Sequence, residues 1–498
     1  MNTLQNNHDL VIGLKPERLW EYFAEISNIP RGSGDEDEVA NFVYKLAKKE
    51  GFIAVRDKNN NVVVYVPATP GFENRPSVCL QGHLDMVCEK LKDSRHDFMT
   101  EPIQLVIDGG KLSANGTTLG ADNGIGVATM LAIMTSKEIE HGPLELLFTT
   151  KEEVGFDGAS ALDPNMFKSK TFINLDSEEE GELYFGCAGG GRINGTGTII
   201  YVPSNSDMQK CRLTIQSLKG GHSGLEIHLG HANAIKLLSE ILSALSEFNF
   251  QIITIKAGNK MNAIPREAEV LLLIPIDQLN NAKTRLEELI ATINTLYQQI
   301  EPDMQITLED LGLSSNEQVI DEAGQTAVLE LIEALPNGVI AMDPNNQDLV
   351  QTSNNVGILN VGDGKFLVTC MFRSSVESDM DDIQFKIIEM IEGVGAIAEI
   401  GNRYPAWEPH YDTPLLQTAV KTYQDLYGVE PPVKTIHAGL ACAVFYKMFP
   451  GADIISFGPT MVKVHTPDEN VDIASVEKFW NYLLELLKNI GALSDSEA

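Results

Sequence analysis

Three short apolar segments of this chain are each followed at once by histidine or acidic side chains. The segments are residues 77–80, 144–149 and 171–175, and the side chains that follow them are His83 and Asp85, Glu152 and Glu153, and Asp176. Apolar runs of this length that alternate with helical patterns are typical of buried strands in a mostly parallel α/β sheet. Ligands bind such sheets at the carboxyl ends of the strands. We therefore expect these side chains to meet at one edge of a sheet.

Helical patterns and further strands occupy the rest of the first and last parts of the chain. The first part contains two amphipathic helices within residues 15–50, broken at Ile29-Pro30-Arg31-Gly32, a strand at 61–66 and a helix rich in small residues at 124–134. The last part contains a helix at 415–427, a strand at 454–457, a helix at 474–490 and a short acidic tail. The similar patterns predict that both parts belong to one α/β domain.

The middle of the chain has a different pattern. The glycine-rich run at 186–191 is typical of a flexible connection, and an α+β pattern then extends to about residue 400 and closes at 401–405. The predicted elements are strands at 213–217 and 270–274 and helices at 233–245 and 281–296. We predict a catalytic domain of residues 1–186 and 402–498, interrupted by an inserted lid domain of residues 187–401 that is either one domain or two similar halves.

Composition excludes several classes of protein. The chain has 498 residues, 43% of them hydrophobic and 21% charged, and its formal charge of −33 would repel nucleic acid and anionic membranes. No apolar run approaches the roughly 18–20 residues that span a bilayer, and residues 1–9 lack the apolar core of a signal peptide. Six cysteines without a CxxC pair are typical of reduced cytoplasmic thiols. We expect a cytoplasmic protein without a nucleic-acid or membrane partner.

Two more positions add metal-ligating side chains to those at the strand ends. Asp122 lies in a glycine-flanked turn before the small-residue helix, and His465 lies in a proline-containing loop. Imidazoles and carboxylates together suit borderline divalent metals, with zinc the default. A metal pair needs a bridging carboxylate and, next to it, a carboxylate that takes a proton from water, and the adjacent Glu152 and Glu153 could divide such roles.

Taken alone, each of these residues also has an ordinary structural interpretation. The alternatives are a satisfied pair for His83 and Asp85, a solvated helix start for Glu152 and Glu153, a helix cap for Asp122, a solvated charge run for Asp176 and a plain loop residue for His465. Their joint occurrence, each at a strand end or sharp turn, favours the metal site.

Several motifs together resemble those of the M20 metallopeptidases. They are Gly82-His83-Leu84-Asp85, Gly120-Ala121-Asp122-Asn123-Gly124, Glu152-Glu153-Val154-Gly155, Asp176-Ser177-Glu178 and His437-Ala438-Gly439-Leu440. The resemblance extends from about residue 14 to residue 487 and is strongest to the aminoacyl-histidine, or cytosol non-specific, dipeptidase branch. It implies a zinc-peptidase-type catalytic domain with a mixed, mostly parallel sheet.

The resemblance also implies a set of metal ligands. His83, Asp122 and Asp176 would hold a first divalent ion, and Asp122 would bridge to a second ion that Glu153 and His465 also bind. The ions would be zinc, with cobalt or manganese as substitutes. Glu152 would be the general base, Asp85 would orient His83, and the peptide bond after Asp122 would be cis.

The inserted domain would contribute residues that contact the substrate. By resemblance, His222 in Gly220-Gly221-His222-Ser223-Gly224 would polarise the scissile carbonyl, and Asn262, Arg373 and His437 would bind substrate. The ordinary alternatives are a histidine-rich turn packed on the following helix for His222, and a surface ion pair for Arg373.

One position departs from the branch. Its pattern reads His-Ala-Gly-Leu-Glu-Cys, whereas this chain has Ala441 before Cys442. The resemblance implies a dinuclear dipeptidase, monomeric or homodimeric, that cleaves unblocked dipeptides, carnosine-type and Xaa-His substrates included, by attack of a metal-bridging hydroxide. The missing carboxylate leaves open an M20-type tripeptidase, carboxypeptidase or N-acyl amino acid deacylase, and a non-catalytic peptide- or metal-binding relative is a further alternative.

Overall fold

The structure is a computed structural model that describes residues 6–344 and 346–492. Its helices are α1 (Asn7–Val11), α2 (Glu17–Ser27), α3 (Asp37–Lys49), α4 (Ala121–Thr135), α5 (Asp157–Ser160), α6 (Ala234–Leu245), α7 (Leu279–Tyr297), α8 (Glu322–Ala334), α9 (Glu377–Gly393), α10 (Pro414–Tyr427), α11 (Ala441–Met448) and α12 (Ile473–Asn489). None of these helices has the length and apolar character needed to cross a bilayer. The predicted acidic tail lies outside the described residues.

The strands fall into four sheets. They are β1 (Ile53–Arg56), β2 (Val62–Val66), β3 (Val78–His83), β4 (Leu105–Asp108), β5 (Lys111–Ala114), β6 (Leu144–Thr149), β7 (Thr171–Asn174), β8 (Leu183–Cys187), β9 (Gly189–Thr198), β10 (Tyr201–Pro203), β11 (Met208–Gln216), β12 (Gln251–Ala257), β13 (Ala268–Pro275), β14 (Gln305–Leu313), β15 (Gln318–Ile320), β16 (Gly338–Met342), β17 (Val350–Gly362), β18 (Lys365–Ser374), β19 (Ile397–Tyr404), β20 (Val433–Ile436), β21 (Asp453–Ser456), β22 (Met461–Val462) and β23 (Asn470–Asp472).

The chain divides into two compact units. Unit 1 comprises Met1–Cys187, Trp407–Thr435 and Leu440–Ala498, and unit 2 comprises Ala188–Ala406 and Ile436–Gly439. The two sequence segments of unit 2 are separated by the stretch of unit 1 that contains α10.

Unit 1 is built on an eight-stranded sheet with the order β1-β2-β6-β3-β7-β21-β8-β20. The four central strands β6, β3, β7 and β21 run parallel, whereas β1, β2 and β8 pair antiparallel with their neighbours. Every residue of β3 and β6 is buried, as expected for strands covered on both faces. The predicted α/β fold with a mixed sheet is confirmed, and its parallel pairing is confined to the centre.

The predicted elements of unit 1 are confirmed with small shifts in their ends. Helices α2 and α3 flank the predicted break, and apolar side chains of α2, among them Trp20 and Phe23, are fully buried. Helix α4 begins at Ala121, three residues before the predicted start, because it includes the turn that carries Asp122. A small sheet with the order β22-β23-β5-β4 holds the loop of His465 between its first two strands.

Unit 2 contains a large antiparallel sheet with the order β14-β11-β13-β12-β17-β18-β9-β19, and β16 pairs with β17. The apolar side chains of this sheet and of helices α6, α7, α8 and α9 form one core. The predicted helices at 233–245 and 281–296 correspond to α6 and α7, and Asn233 caps α6 by accepting N–H bonds from Ile235 and Lys236.

Two predicted connections are in fact strands. The run at 186–191 was expected to be flexible, but residues 186–187 belong to β8 and residues 189–191 to β9. Residues 401–404 belong to β19. Glycine is needed in β9 because neighbouring atoms are too close for a side chain. A Cβ at Gly190 would lie 2.8 Å from the carbonyl oxygen of Phe372, and one at Gly191 would lie 2.6 Å from its ring.

Candidate metal centre

The ends of three neighbouring parallel strands bring the first set of predicted ligands together. His83 is the last residue of β3, Glu152 and Glu153 follow β6, and Asp176 follows β7. Strand β3 pairs in parallel with β6 on one side and with β7 on the other, so the three carboxyl ends lie at the same edge. This edge is where ligands of α/β sheets bind.

Asp122 faces a different histidine with each of its two carboxylate oxygens. Its Oδ1 lies 2.9 Å from Nε2 of His83, and its Oδ2 lies 3.0 Å from Nε2 of His465. The first histidine is also 3.3 Å from Oδ1 of Asp176, and the second is 3.0 Å from Oε2 of Glu153. A single carboxylate shared between two imidazoles in this way has the geometry of a bridging metal ligand.

The ligand atoms form three overlapping groups, and within each group they lie within 4.8 Å of one another. The groups are His83, Asp122 and Asp176; Asp122, Glu153 and His465; and His83, Glu152 and Glu153. Imidazole nitrogens and carboxylate oxygens are the donors that zinc and similar divalent ions accept, so this donor set fits a pair of such ions.

The turn that carries Asp122 has an unusual backbone. The peptide bond between Asp122 and Asn123 is cis, as the resemblance implies, and both residues depart from helical dihedral angles. The Asn123 side chain donates a hydrogen bond of 2.6 Å to the carbonyl oxygen of Leu175, next to Asp176. The N-cap of α4 is Gly120, and the Asp122 carboxylate faces His83 and His465 instead, so the helix-cap interpretation of this residue is wrong.

Asp85 lies behind the histidine and the two glutamates. One carboxylate oxygen lies 3.4 Å from Nδ1 of His83, and the backbone N–H groups of Glu152 and Glu153 donate to the two oxygens over 3.1 and 3.3 Å. The Ser33 hydroxyl also donates to it, over 2.8 Å. Asp85 therefore fixes the ring of His83 and the chain direction after β6 at the same time.

The charge balance of this centre favours cations. Burial alone would lower the pKa of each histidine, but contacts with Asp122 and other carboxylates raise the pKa of His83 well above its usual value and that of His465 to about 11. Burial raises the pKa of Asp176 to about 7, helped by the nearby charge of Asp122. Burial also raises the pKa of Glu152 well above its usual value, and His83 offsets only part of this. A bound divalent cation would relieve this excess of carboxylates.

Three residues that contribute to the centre were not identified from the sequence. Burial raises the pKa of Glu178 to about 8, although this residue belongs to the acidic run 176–180 for which solvation was the ordinary interpretation. Glu469 is 2% exposed and accepts backbone N–H bonds from the turn of Asp122, and Arg31 is 3% exposed and donates to carbonyl oxygens of the same region. Glu469 follows the candidate ligand His465 closely in the sequence, and this short spacing is the one sequence signal that could have indicated the role of Glu469.

The predicted substrate-contacting residues lie in unit 2, where three of them surround Gly224. A Cβ at this glycine would lie 2.3 Å from the carbonyl oxygen of His437, 3.1 Å from Nε of Arg373 and 3.2 Å from Cε1 of His222. Burial lowers the pKa of His222 to about 4 and that of His437 to about 3, and the charge of Arg373 adds to both effects. Both imidazoles are therefore neutral near pH 7.

The hydrogen bonds of His222 assign its tautomer. Its Nδ1 accepts backbone N–H bonds from Gly224 over 3.2 Å and from Leu225 over 3.0 Å. A neutral imidazole whose Nδ1 accepts must carry its proton on Nε2, so His222 presents Nε2–H as a donor.

Arg373 is buried, and no acidic partner pairs with it among the described residues. It is 4% exposed, its Nη1 donates to the Tyr404 hydroxyl over 2.6 Å, and its Nε has no hydrogen-bond partner among the described residues. The ion pairs found among the described residues involve other arginines, such as Arg285 and Arg403, and none of them includes Arg373. The surface-pair interpretation of Arg373 is therefore wrong, and its guanidinium is available to an anion.

Asn262, His437 and Ala441 were also singled out from the sequence. Asn262 is exposed, and its carbonyl oxygen accepts a bond of 2.9 Å from the N–H of Ser223, next to His222. Ser353 Oγ lies 2.7 Å from Nε2 of His437. Ala441, where the branch has a glutamate, is fully buried in unit 1 at the first residue of α11.

Comparisons with known proteins agree with the motifs. A model of peptidase family M20/M25/M40 matches residues 79–489. The chain is 38% identical over 480 residues to the cytosol non-specific dipeptidase of Escherichia coli K12, covering 96% of this chain and 99% of that protein. It matches the crystal structure of aminoacylhistidine dipeptidase from Vibrio alginolyticus with a TM-score of 0.89 and 38% identity, covering 96% of this chain and 98% of that one. A Staphylococcus aureus tripeptidase, 14% identical with a TM-score of 0.57 and coverage of 96% and 99%, shares the fold.

Proposed function

Because this chain belongs to peptidase family M20/M25/M40, we propose that it is a cytoplasmic, dinuclear metal-dependent dipeptidase. Its substrates are unblocked dipeptides of broad sequence, including Xaa-His and carnosine-type peptides. The two relatives at 38% identity are named as a cytosol non-specific dipeptidase and an aminoacylhistidine dipeptidase, and they support this substrate class and location.

The observation that carries the proposal is the position of Asp122 between His83 and His465, with one oxygen facing each imidazole. In the proposed site, His83, Asp122 and Asp176 hold one ion, and Asp122, Glu153 and His465 hold the other. Zinc is the proposed metal, and the bound pair supplies Lewis acidity and lowers the pKa of water towards about 7.

Glu152 is the proposed proton carrier. It takes a proton from the attacking water and delivers it to the amine nitrogen as the peptide C–N bond breaks, so the products are a carboxylate and a free amine. Its raised pKa supports both steps, because burial makes this carboxylate a stronger base than an exposed glutamate, and the protonated form can then return the proton. The backbone N–H bond from Glu152 to Asp85 holds it at the strand end.

The unit 2 residues are proposed to recognise the substrate. The Nε2–H group of His222 donates to the carbonyl oxygen, which becomes negatively charged during attack. Arg373, which is buried and has no acidic partner in the described part of the chain, binds the C-terminal carboxylate. His437 and Asn262 line the same subsite.

A panel of substrates tests the function. We would measure amine release from Xaa-His, carnosine, other dipeptides, a tripeptide and an N-acetylated dipeptide, using metal-stripped protein before and after reloading with zinc. We expect zinc-dependent cleavage of the free dipeptides alone. No cleavage of any substrate by the zinc-loaded protein would contradict the proposal and support a non-catalytic binding protein.

One observation favours a second candidate function within the family. A buried alanine at 441 replaces a carboxylate of the branch, which could have recognised a free amino terminus. Cleavage of the blocked dipeptide with no cleavage of free dipeptides would assign this chain to deacylase or carboxypeptidase activity instead. Cleavage of the tripeptide alone would indicate a tripeptidase.

A further inference from the structure

Glu469 accepts hydrogen bonds from four successive backbone N–H groups of the turn that carries Asp122. Its Oε2 accepts from Leu119 over 2.7 Å and from Gly120 over 3.0 Å, and its Oε1 accepts from Ala121 over 2.8 Å and from Asp122 over 3.4 Å. Consecutive N–H groups at the start of a helix are an anion-binding arrangement, because α4 leaves them without intrahelical partners.

The position of Glu469 in the chain connects this turn to His465. The backbone N–H of Glu469 donates to the carbonyl oxygen of Thr466 over 3.0 Å, which closes a short turn directly after His465. One side chain therefore joins the loop of His465 to the turn of Asp122. The distance from Asp122 Oδ2 to His465 Nε2, 3.0 Å, depends on how these two segments are held.

Arg31 connects the same turn to the other histidine. Its guanidinium donates to the carbonyl oxygen of Gly120, and also to those of Leu84 over 3.0 Å and Asp85 over 3.2 Å, directly after His83. The turn of Asp122 is thus attached to the His83 side through Arg31 and to the His465 side through Glu469. Neither of these residues is a candidate ligand.

We infer that Glu469 is a positioning residue that sets Asp122 against His465 and thereby controls affinity for the second of the two metal ions. The inference rests on the proposed dinuclear function. Replacing Glu469 with glutamine would remove its charge and leave one acceptor oxygen in place of two. It would also direct an NH₂ group at backbone N–H donors. The group formed by Asp122, Glu153 and His465 should therefore weaken, whereas the group formed by His83, Asp122 and Asp176 keeps its attachment through Arg31.

The chain offers a matched control in Glu145. This residue is 3% exposed, lies on β6 and accepts backbone N–H bonds from Lys168 over 2.8 Å and from Ser169 over 3.1 Å. It is a buried carboxylate of unit 1 with the same kind of partners, and none of its partners belongs to the metal centre. Glu145→Gln therefore measures the cost of losing such a carboxylate in general.

The test is a titration of metal-free protein with Zn²⁺ against a chromophoric chelator, with thermal unfolding of each metal-free variant. We expect the unchanged protein to bind two equivalents of Zn²⁺. In Glu469→Gln, the affinity for one of them should fall about 10–100-fold, and this should be the same equivalent that His465→Gln loses. Glu469→Asp, which keeps the charge with a shorter reach, should weaken it less. The Co²⁺ absorption spectrum of the first equivalent should be unchanged.

The outcomes separate the inference from the function on which it rests. Two equivalents of unchanged affinity in both Glu469 variants would overturn the inference alone. The inference would also be overturned if Glu469→Gln and Glu145→Gln each weakened both metal equivalents, in proportion to the thermal stability that each variant loses. Fewer than two equivalents in the unchanged protein would overturn the dinuclear function, and the inference with it.

Discussion

The candidate-site histidines of the two units lie in opposite electrostatic surroundings. In unit 1, carboxylates outweigh the effect of burial and raise the pKa of His83 and of His465. In unit 2, burial and the charge of Arg373 lower the pKa of His222 to about 4 and that of His437 to about 3. The same residue type is thus prepared for positive charge in one unit and kept as a neutral hydrogen-bonding group in the other.

This difference indicates a division of roles. A site with excess carboxylate favours cations, which suits the activation of water and the transfer of its proton. A site with a buried guanidinium and neutral imidazoles favours oxygen atoms that carry or gain negative charge. Changes in unit 1 should therefore affect metal binding and kcat, and changes in unit 2 should affect the recognition of particular substrate oxygens.

The largest effect is expected for Glu152→Gln in unit 1. Glutamine has nearly the same size but cannot accept a proton, so kcat should fall about 10³-fold or more. Metal content should remain at two equivalents, because the two proposed ligand groups do not need this side chain. Amine-release kinetics and metal analysis of the same preparation measure both quantities.

Glu145→Gln, also in unit 1, is the control and should keep turnover near that of the unchanged protein. A Glu152→Gln variant that lost its metal together with its activity would make Glu152 a ligand and would contradict its proposed role as proton carrier.

The parts of unit 1 that were predicted correctly from the sequence are those that depend on local sequence patterns. The apolar runs of β3, β6 and β7 and the side chains that follow them predicted a polar edge, because parallel strands end on the same side. Identical reasoning could not distinguish His83 from His222, since the sign of each pKa shift depends on which charges the fold brings near. For the same reason, the sequence left open a surface ion pair for Arg373, because burial of this residue depends on the fold.

Residues whose partners are distant in sequence could not be predicted. Glu469 follows an aspartate in a polar loop and looks solvated, yet its partners begin at Leu119, 350 positions earlier. Likewise, Glu178 and Glu179 are adjacent acidic residues, but the first is partly buried and the second is exposed. Gly190 and Gly191 were interpreted as a flexible connection. Glycine is required there because Phe372 approaches closely, and this tertiary contact cannot be seen in the sequence.

The next largest effect is expected for His222→Ala in unit 2. Loss of the Nε2–H donor should lower kcat about 10²-fold or more while both metal equivalents remain. Since the pKa of His222 is about 4, the imidazole is neutral throughout the range from pH 5 to 9, so the shape of the kcat profile against pH should not change over that range.

The exposed His228 of the same unit provides the control for this prediction, and His228→Gln should retain activity. A changed acid limb in His222→Ala, with little loss of kcat at neutral pH, would show that His222 acts as a proton donor or base and would break the contrast between the units.

Arg373→Lys sharpens the contrast further, with a smaller effect. Lysine keeps the charge but cannot form two parallel hydrogen bonds to a carboxylate, so KM for free dipeptides should rise about 10-fold or more with little change in kcat. A dipeptide with an amidated C-terminus provides the matched substrate, and its KM should be the same for both proteins. An equal rise in KM for the amidated substrate would show that Arg373 supports the fold of the subsite and does not bind the carboxylate.

The smallest effect is expected in the pH dependence of stability. His437 has a pKa of about 3 in the folded chain against an ordinary value of 6.5, so between these values the unfolded chain binds a proton that the folded chain does not. Stability from this residue is complete above pH 6.5 and is lost as pH falls, by at most about 1.4 kcal/mol per pH unit. His437→Gln should flatten that decline in urea unfolding of metal-free protein. An unaltered decline in His437→Gln would mean that the acid sensitivity arises from other groups, such as Asp85, whose lowered pKa in the folded chain also makes stability fall as pH falls.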